Sequence, residues 1–196
     1  MDKNTDTGAA PMDDRTLVKR SRFLSLVLRH KPEAVGLALG DGGWVDVAAL
    51  LAALKAHGRG MTRAELDAVV AGNDKQRFAF SEDGRRIRAN QGHSVEVDLH
   101  LEAAQPPEVL WHGTIGANLR AISRDGLLKG KRHAVHLSAD RETASKVGAR
   151  RGEPVLLAVR AGEMARDGAV FQRSDNGVWL VDGVPPRYID WAATER

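Results

Sequence analysis

The hydrophobic period of this 196-residue chain changes near Lys75, and that change limits the fold more than any other feature. From Arg15 to about Val70 the apolar residues recur at helical spacing; beyond it KQRFAF and RRIRAN flank SEDG as two short strands. Leu17, Leu24, Val27 and Leu28 share one broad face of a helix over Arg15–Arg29, with Asp13 or Asp14 available as its cap. Pro32 ends that helix and leaves Arg29 and His30 at its last turn. GGWVDV leads into a second helix over Val47–His57, closed near Gly58, and Thr62-Arg-Ala-Glu65 has the capping-box spacing that opens a third, to about Val70. Asp83-Gly84 supplies the turn of the hairpin. Three helices followed by a hairpin is the order of a winged-helix module, and order alone is an analogy.

The second half reads differently. VLWHGT, AVHLSA, PVLLAVRA and GVWLVD are strands, ETASKVGARR is a helix, and Thr114 caps another helix that runs to a glycine stop at Gly126. GEMARDG reads as a turn. The expected organisation is a two-lobed α+β chain: a loose tail over 1–13, a winged-helix lobe over 14–92, a linker over 93–106 with a short strand at SVEVDL, and a second mixed lobe over 107–196.

Charge follows the same division. Arg15–Asn90 holds 14 Lys and Arg against 8 Asp and Glu, a surplus of six, whereas Gln91–Arg196 holds 14 of each. A basic first half suits an anionic polymer and a neutral second half something smaller, although solvated basic faces are common. Absence of cysteine excludes thiolate nucleophiles and Cys-based metal sites. No apolar run is long enough to span a membrane and the start lacks a signal-type core, so a cytoplasmic location is expected; a monomer is expected beside it.

Several clusters could carry chemistry. Arg29-His30 offers two donors at a helix end, where both also complement the dipole. In NDKQRF, Lys75 and Arg77 share a face of an incipient strand; in RRIRAN, Ile87 faces inward and Arg86 and Arg88 outward, spaced to span adjacent phosphates. In WHGT, Gly113 would let a ligand approach the backbone beside His112. Extension over Ala134–Ser138 would put His136 on the face of Ala134 and His133 opposite, so the two histidines do not converge and no metal site is expected. In SDNGVWLVD, Val178 and Leu180 share a face with Trp179 opposite, which packing alone explains. There is no Walker loop, dinucleotide fingerprint, G-x-S-x-G or HExxH, and no paired carboxylates. What remains is arginines and histidines without an obvious base. A phosphate monoester, with its second pKa near ~6, attacks without one.

These stretches together resemble the RNA 2′-phosphotransferase family, the NAD-dependent tRNA splicing enzymes and their bacterial relatives. The resemblance lies in LRHKPE, GWVDVAALL, NDKQRFAFSEDGRRIRANQGHS, VLWHGT, RHAVHLS, ETASKVGARRGEPVLL and SDNGVWLVDGVPPRYI, in the family's order from about Leu17 to Ile189. It implies an N-terminal winged-helix RNA lobe and a C-terminal ADP-ribosyltransferase-like lobe that takes NAD as co-substrate. The family's Arg-His-Arg-Arg group maps onto Arg29, His30, Arg77 and Arg132. Its NAD-lobe elements map onto His112, Gly113, Thr114, His136 and Ser138, with Val178 where related transferases carry glutamate; Lys75, Arg86 and Arg88 are implied for flanking RNA. Two positions depart from the pattern: Trp111 stands for the usual tyrosine, and Ala134 for the first histidine of HVH.

The implied reaction moves an internal RNA 2′-phosphate onto NAD, expels nicotinamide, and resolves the RNA-2′-phospho-ADP-ribose intermediate into 2′-hydroxyl RNA and ADP-ribose 1″,2″-cyclic phosphate. Guanidiniums rather than a metal would carry the charge. Two other readings stand beside it: ADP-ribosylation of terminal nucleic-acid phosphates, and a winged-helix nucleic-acid-binding regulator without catalysis.

Overall fold

The computed structural model describes residues 13–73, 75–150 and 152–195. The expected tail over 1–13 lies outside them except for Asp13. The architecture is mixed α/β in two compact units, residues 1–90 and 91–196. Among the described residues no helix is long and apolar enough to cross a membrane.

In the first unit, helix α1 spans Asp14–Arg29, and the Asp13 carboxylate caps it by accepting from the Thr16 amide at 2.8 Å. Leu24, Val27 and Leu28 are fully buried on its inner face, as their spacing requires. A short turn at Pro32–Val35 follows. Strand β1 (Val45–Asp46) runs into α2 (Val47–Ala56), whose cap is the Asp46 side chain. Helix α3 (Arg63–Ala71) carries both bonds of the capping box between Thr62 and Glu65. The hairpin forms from β2 (Phe78–Phe80) and β3 (Arg86–Ala89), with Gly84 at φ 66° in its turn, and the sheet order is β1-β3-β2. Its strands close the core by laying Phe78, Ile87 and Ala89 against the three helices.

The second unit is built on antiparallel pairing. Strand β4 (Leu110–Ile115) leads through a turn into α4 (Leu119–Asp125), then β5 (Leu127–Leu128), β6 (Val135–Leu137) and α5 (Arg141–Gly148). The apolar β7 (Pro154–Val159) is followed by α6 (Ala161–Arg166), β8 (Gln172–Arg173), β9 (Trp179–Val181), β10 (Gly183–Val184) and β11 (Ile189–Glu195). The sheets run β11-β7-β4 and β6-β9-β8, and a β10-β5 pair stands apart. A bridge between Trp111 and Ser138 ties β4 to the end of β6. The core between these layers includes Leu110, Leu137, Leu157, Phe171 and Trp179.

Four expectations are corrected here. GEMARDG is helix rather than turn: Arg166 in its last turn makes a two-pronged bridge to Glu108, at 2.7 and 3.1 Å. SVEVDL forms no strand. Nearby, the Ala104 amide donates to the Phe171 carbonyl and the Gln172 side-chain amide to that of Leu101. Thr114 does not cap α4. The β4 strand runs through it to Ile115, paired with β7, and the buried Thr114 hydroxyl accepts from the Asn118 side chain at 3.1 Å.

Gly113 is the fourth. Its missing side chain makes room for a helix, not a ligand: a Cβ there would lie 1.8 Å from the Ala144 carbonyl oxygen and 2.9 Å from the Gly148 nitrogen, both on α5. Backbone cannot give way cheaply, so Gly113→Ala is expected to destabilise the fold by about 3 kcal/mol or more. Urea unfolding checks it, with Gly116→Ala as the control, since a Cβ at Gly116 meets nothing within 4 Å. Equal midpoints for the two variants would contradict the assignment.

Candidate active site

In the first unit the polar groups are organised around Arg77. Its side chain begins after Gln76, a non-glycine residue at φ 41° that breaks the strand before β2. Regular alternation of Lys75, Gln76 and Arg77, expected from the sequence, is therefore lost at this bend. The Arg77 Nη1 donates to the Asn73 Oδ1 at 2.8 Å, and the Asn73 amide donates to the Ser21 hydroxyl of α1 at 3.0 Å. Asn73 is buried, so the hydrogen-bonded chain holds the guanidinium from behind. The Arg77 carbonyl accepts from the Asn90 amide at 2.9 Å and from Arg29 Nη2 at 3.2 Å. Arg29 and Arg77, 48 positions apart in sequence, are thus brought together, and His30 follows at the exposed C-terminal end of α1. Asn73 and Asn90 escaped the sequence reading. Asn73 ends a helix and Asn90 ends a strand, and neither position announces a long-range partner.

Arg86 and Arg88 leave β3 on the side opposite buried Ile87, as alternation requires, and both guanidiniums lie over the Trp44 ring, at 5.5 and 4.6 Å from its centroid. The indole holds two cations on one face of the hairpin. Lys75 is exposed, and its amide donates to the same Asn73 oxygen at 3.2 Å.

In the second unit a cavity of about 390 Å³ is lined by His93, His133, Ala134, His136, Gln172 and Leu180 among others. Its size is that of a small-ligand pocket. His133 and His136 share it, against expectation, because β6 begins only at Val135 and His133 lies outside the alternation. His136 alone of the six residues expected to hold NAD is among its lining residues.

Arg132, His136 and His112 are joined in series. Arg132 Nη1 donates to His136 Nδ1 at 2.8 Å, so the neutral imidazole of His136 carries its proton on Nε2. His112 Nδ1 lies 3.1 Å from the His136 carbonyl, which can only accept, so that nitrogen is protonated and Nε2 is left as an acceptor. Burial pushes the His112 pKa below the usual histidine value; the carbonyl bond opposes this, and the Arg132 charge lowers it further. This favours the neutral imidazole, whose Nε2 is suited to accept from a hydroxyl. Ser138 and Trp111 exchange backbone bonds of 2.8 Å, and Arg141 covers the Trp111 ring at 4.8 Å. The Val178 backbone is pinned by Ser174, whose amide and hydroxyl bind its carbonyl and amide. Leu180 faces the cavity while Trp179 enters the core, the alternation expected of that strand. Among the described residues no group of histidines and carboxylates stands where it could hold a metal ion.

Comparison with known proteins places this geometry in context. A family model described as RNA 2'-phosphotransferase, Tpt1 / KptA family matches residues 15–183. A protein of Streptomyces coelicolor named "Probable RNA 2'-phosphotransferase" is 56% identical over 182 residues, 93% of this chain and 99% of that protein. Proteins of the same name from Flavobacterium johnsoniae and Agrobacterium fabrum are 50% and 56% identical, covering 92% and 88% of this chain and 99% and 93% of their own lengths.

Proposed function

The chain belongs to the RNA 2'-phosphotransferase, Tpt1 / KptA family, and from that premise we propose how its residues divide the reaction with NAD. It is an enzyme that removes an internal 2′-phosphate from RNA with NAD as co-substrate. The observation that carries this is the family match from residue 15 to residue 183, which takes in both compact units. In this reading the first unit is a winged-helix RNA lobe and the second an ADP-ribosyltransferase-like NAD lobe.

A non-bridging oxygen of the RNA 2′-phosphate attacks the anomeric carbon of the nicotinamide ribose, and the bond to nicotinamide breaks. The nucleophile is already an anion near neutral pH, so the step requires positioning rather than deprotonation. The ribose 2″-hydroxyl then attacks the phosphorus; the bond to the RNA 2′-oxygen breaks and that oxygen takes up a proton. Arg29, Arg77 and Arg132 bind the phosphate and offset charge on its equatorial oxygens in this second step. The tether of Arg77 to Asn73, and of Arg29 to the Arg77 carbonyl, supports that role by fixing both forks before substrate arrives. His30 contacts the phosphate or moves the proton of the second step.

His112 and His136 orient the nicotinamide half of NAD, the first accepting through Nε2 and the second donating through its own. Ser138 and Val178 shape the surrounding wall. Gly113 and Thr114 act one step back: the glycine admits α5 against β4, and the Thr114 hydroxyl is given to Asn118. Lys75, Arg86 and Arg88 bind flanking RNA phosphates, the two arginines from their shared perch on Trp44. No side chain in this scheme requires a metal.

The test is incubation of the protein with NAD and an RNA bearing one internal 2′-phosphate, with both products analysed. The reading predicts one nicotinamide released for each 2′-hydroxyl formed, with the phosphate recovered on ADP-ribose. NAD left intact and phosphate retained on the RNA would instead favour a non-catalytic nucleic-acid-binding protein.

A further inference from the structure

The outward face of α1 carries a feature that the reaction above does not use. Arg15, Arg22 and Arg29 recur every seven residues on this helix. At 1.5 Å of rise per residue they form one row, about 10 Å apart and about 21 Å long in all. Lys19 stands beside the row, and Arg15, Lys19 and Arg22 are all exposed. Exposed Val18 and Leu26 lie between the cations, and Arg59 reaches over the Phe23 ring at 5.3 Å from its centroid. These groups line a shallow groove with four cations, Arg15, Lys19, Arg22 and Arg59, against one carboxylate, Asp14. The neighbouring Asp13 carboxylate is spent on capping the helix.

Other arginines of the same unit are neutralised locally: Arg20 by Glu65 at 2.8 Å and Arg63 by Asp67 at 2.8 Å. Among the described residues Arg15, Lys19, Arg22 and Arg59 are in no ion pair. A solvated helix face repeats at this spacing too, but among the described residues Arg15, Lys19 and Arg22 pair with no carboxylate and their row runs on to Arg29, which suits a polymer with regularly repeated phosphates.

We propose that this face is a track for the RNA strand that continues beyond the 2′-phosphate, with Arg15, Lys19 and Arg22 on its phosphates and Val18, Leu26 and the Arg59–Phe23 pair against its sugars and bases. The proposal rests on the assignment of Arg29 to the reacting phosphate. An RNA held there must leave the site along some surface, and the row begins at that residue. Alternating cations and flat apolar contacts are what a single strand meets on proteins that bind it without reading sequence. An anionic lipid surface would use the same charges but would have no need of their spacing.

The experiment compares two RNAs, each with one internal 2′-phosphate: a trinucleotide, and a strand long enough to cover the row. Binding is measured without NAD by fluorescence anisotropy over a salt series, so failure of catalysis would count against the proposed function alone and leave this result readable. For the long RNA, Arg22→Ala is expected to lower the slope of log affinity against log salt by about 0.7, the value for one phosphate contact on a single strand. Arg22→Glu should weaken binding about tenfold or more at low salt, through lost attraction and added repulsion. Trinucleotide binding should not change in either variant. Equal effects on both RNAs, no effect on either, or variants that lose only adsorption to anionic phospholipid vesicles would each overturn the proposal. Both substitutions are on an exposed helix face, and far-UV circular dichroism verifies that the variants are folded.

Discussion

Arg77→Lys is expected to lower the rate of nicotinamide release in a single turnover by about 100-fold, the loss that follows when a phosphate held for attack is misplaced by about 1 Å. The substitution keeps the positive charge and discards the fork. In the structure one prong is already committed, since Nη1 donates to Asn73, and that bond fixes the plane in which the remaining N–H groups point. A lysine ammonium can satisfy Asn73 or reach for a phosphate oxygen, but it has no rigid plane with which to do both. The main-chain carbonyl of Arg77 survives the change, so the bonds from Arg29 and Asn90 to it remain and the loss belongs to the side chain. A loss smaller than about tenfold would show that charge alone suffices and that the fork has no role.

Removing Arg132 tests the other half of the reaction. Its side chain is exposed and donates to His136 Nδ1 at the surface of the second unit, so Arg132→Ala should fold normally. If the guanidinium chiefly offsets charge at phosphorus, the second step slows by about 100- to 1,000-fold while the first continues. RNA-2′-phospho-ADP-ribose then accumulates and is resolved by electrophoresis as a slower species, with one nicotinamide released per adduct. The unaltered protein is expected to resolve the same species as fast as it forms, so that none builds up. Slow nicotinamide release with no adduct would move the main work of Arg132 to the first step.

Where the sequence was a reliable guide, the determinants were local. The cap at Asp13, the capping box of Thr62 and Glu65, the turn at Gly84 and the alternation of Arg86, Ile87 and Arg88 depend on residues within a few positions of one another. Errors came where a distant partner decides. GEMARDG has turn-like glycines at both ends, yet Glu108, 58 residues before Arg166, stabilises it as helix. SVEVDL alternates as a strand should, but no strand pairs with it. Thr114 has the composition of a cap, and pairing with β7 keeps it in a strand.

The site shows the same division. Arg29, Arg77 and Arg132 stand out as residue types, and the family motifs single them out. Their support does not stand out: Asn73 bonds to Ser21 across 52 positions, and the Arg77 carbonyl, a group every residue has, anchors Arg29. Gly113 was legible as a place of close approach and misread as to what approaches. A strand glycine looks the same in sequence whether a ligand or a helix fills the space.

In the proposed reaction the RNA phosphate is its own nucleophile and the protein supplies no base for the first step. The pH dependence of nicotinamide release, measured in single turnover with enzyme in excess, tests this most directly. The expected rate rises through the second ionisation of the phosphate, near ~6, and is level from about pH 7 upward. A rate that continues to climb through the alkaline range would reveal a group on the protein that must lose its proton before the phosphate can attack, and would contradict the claim.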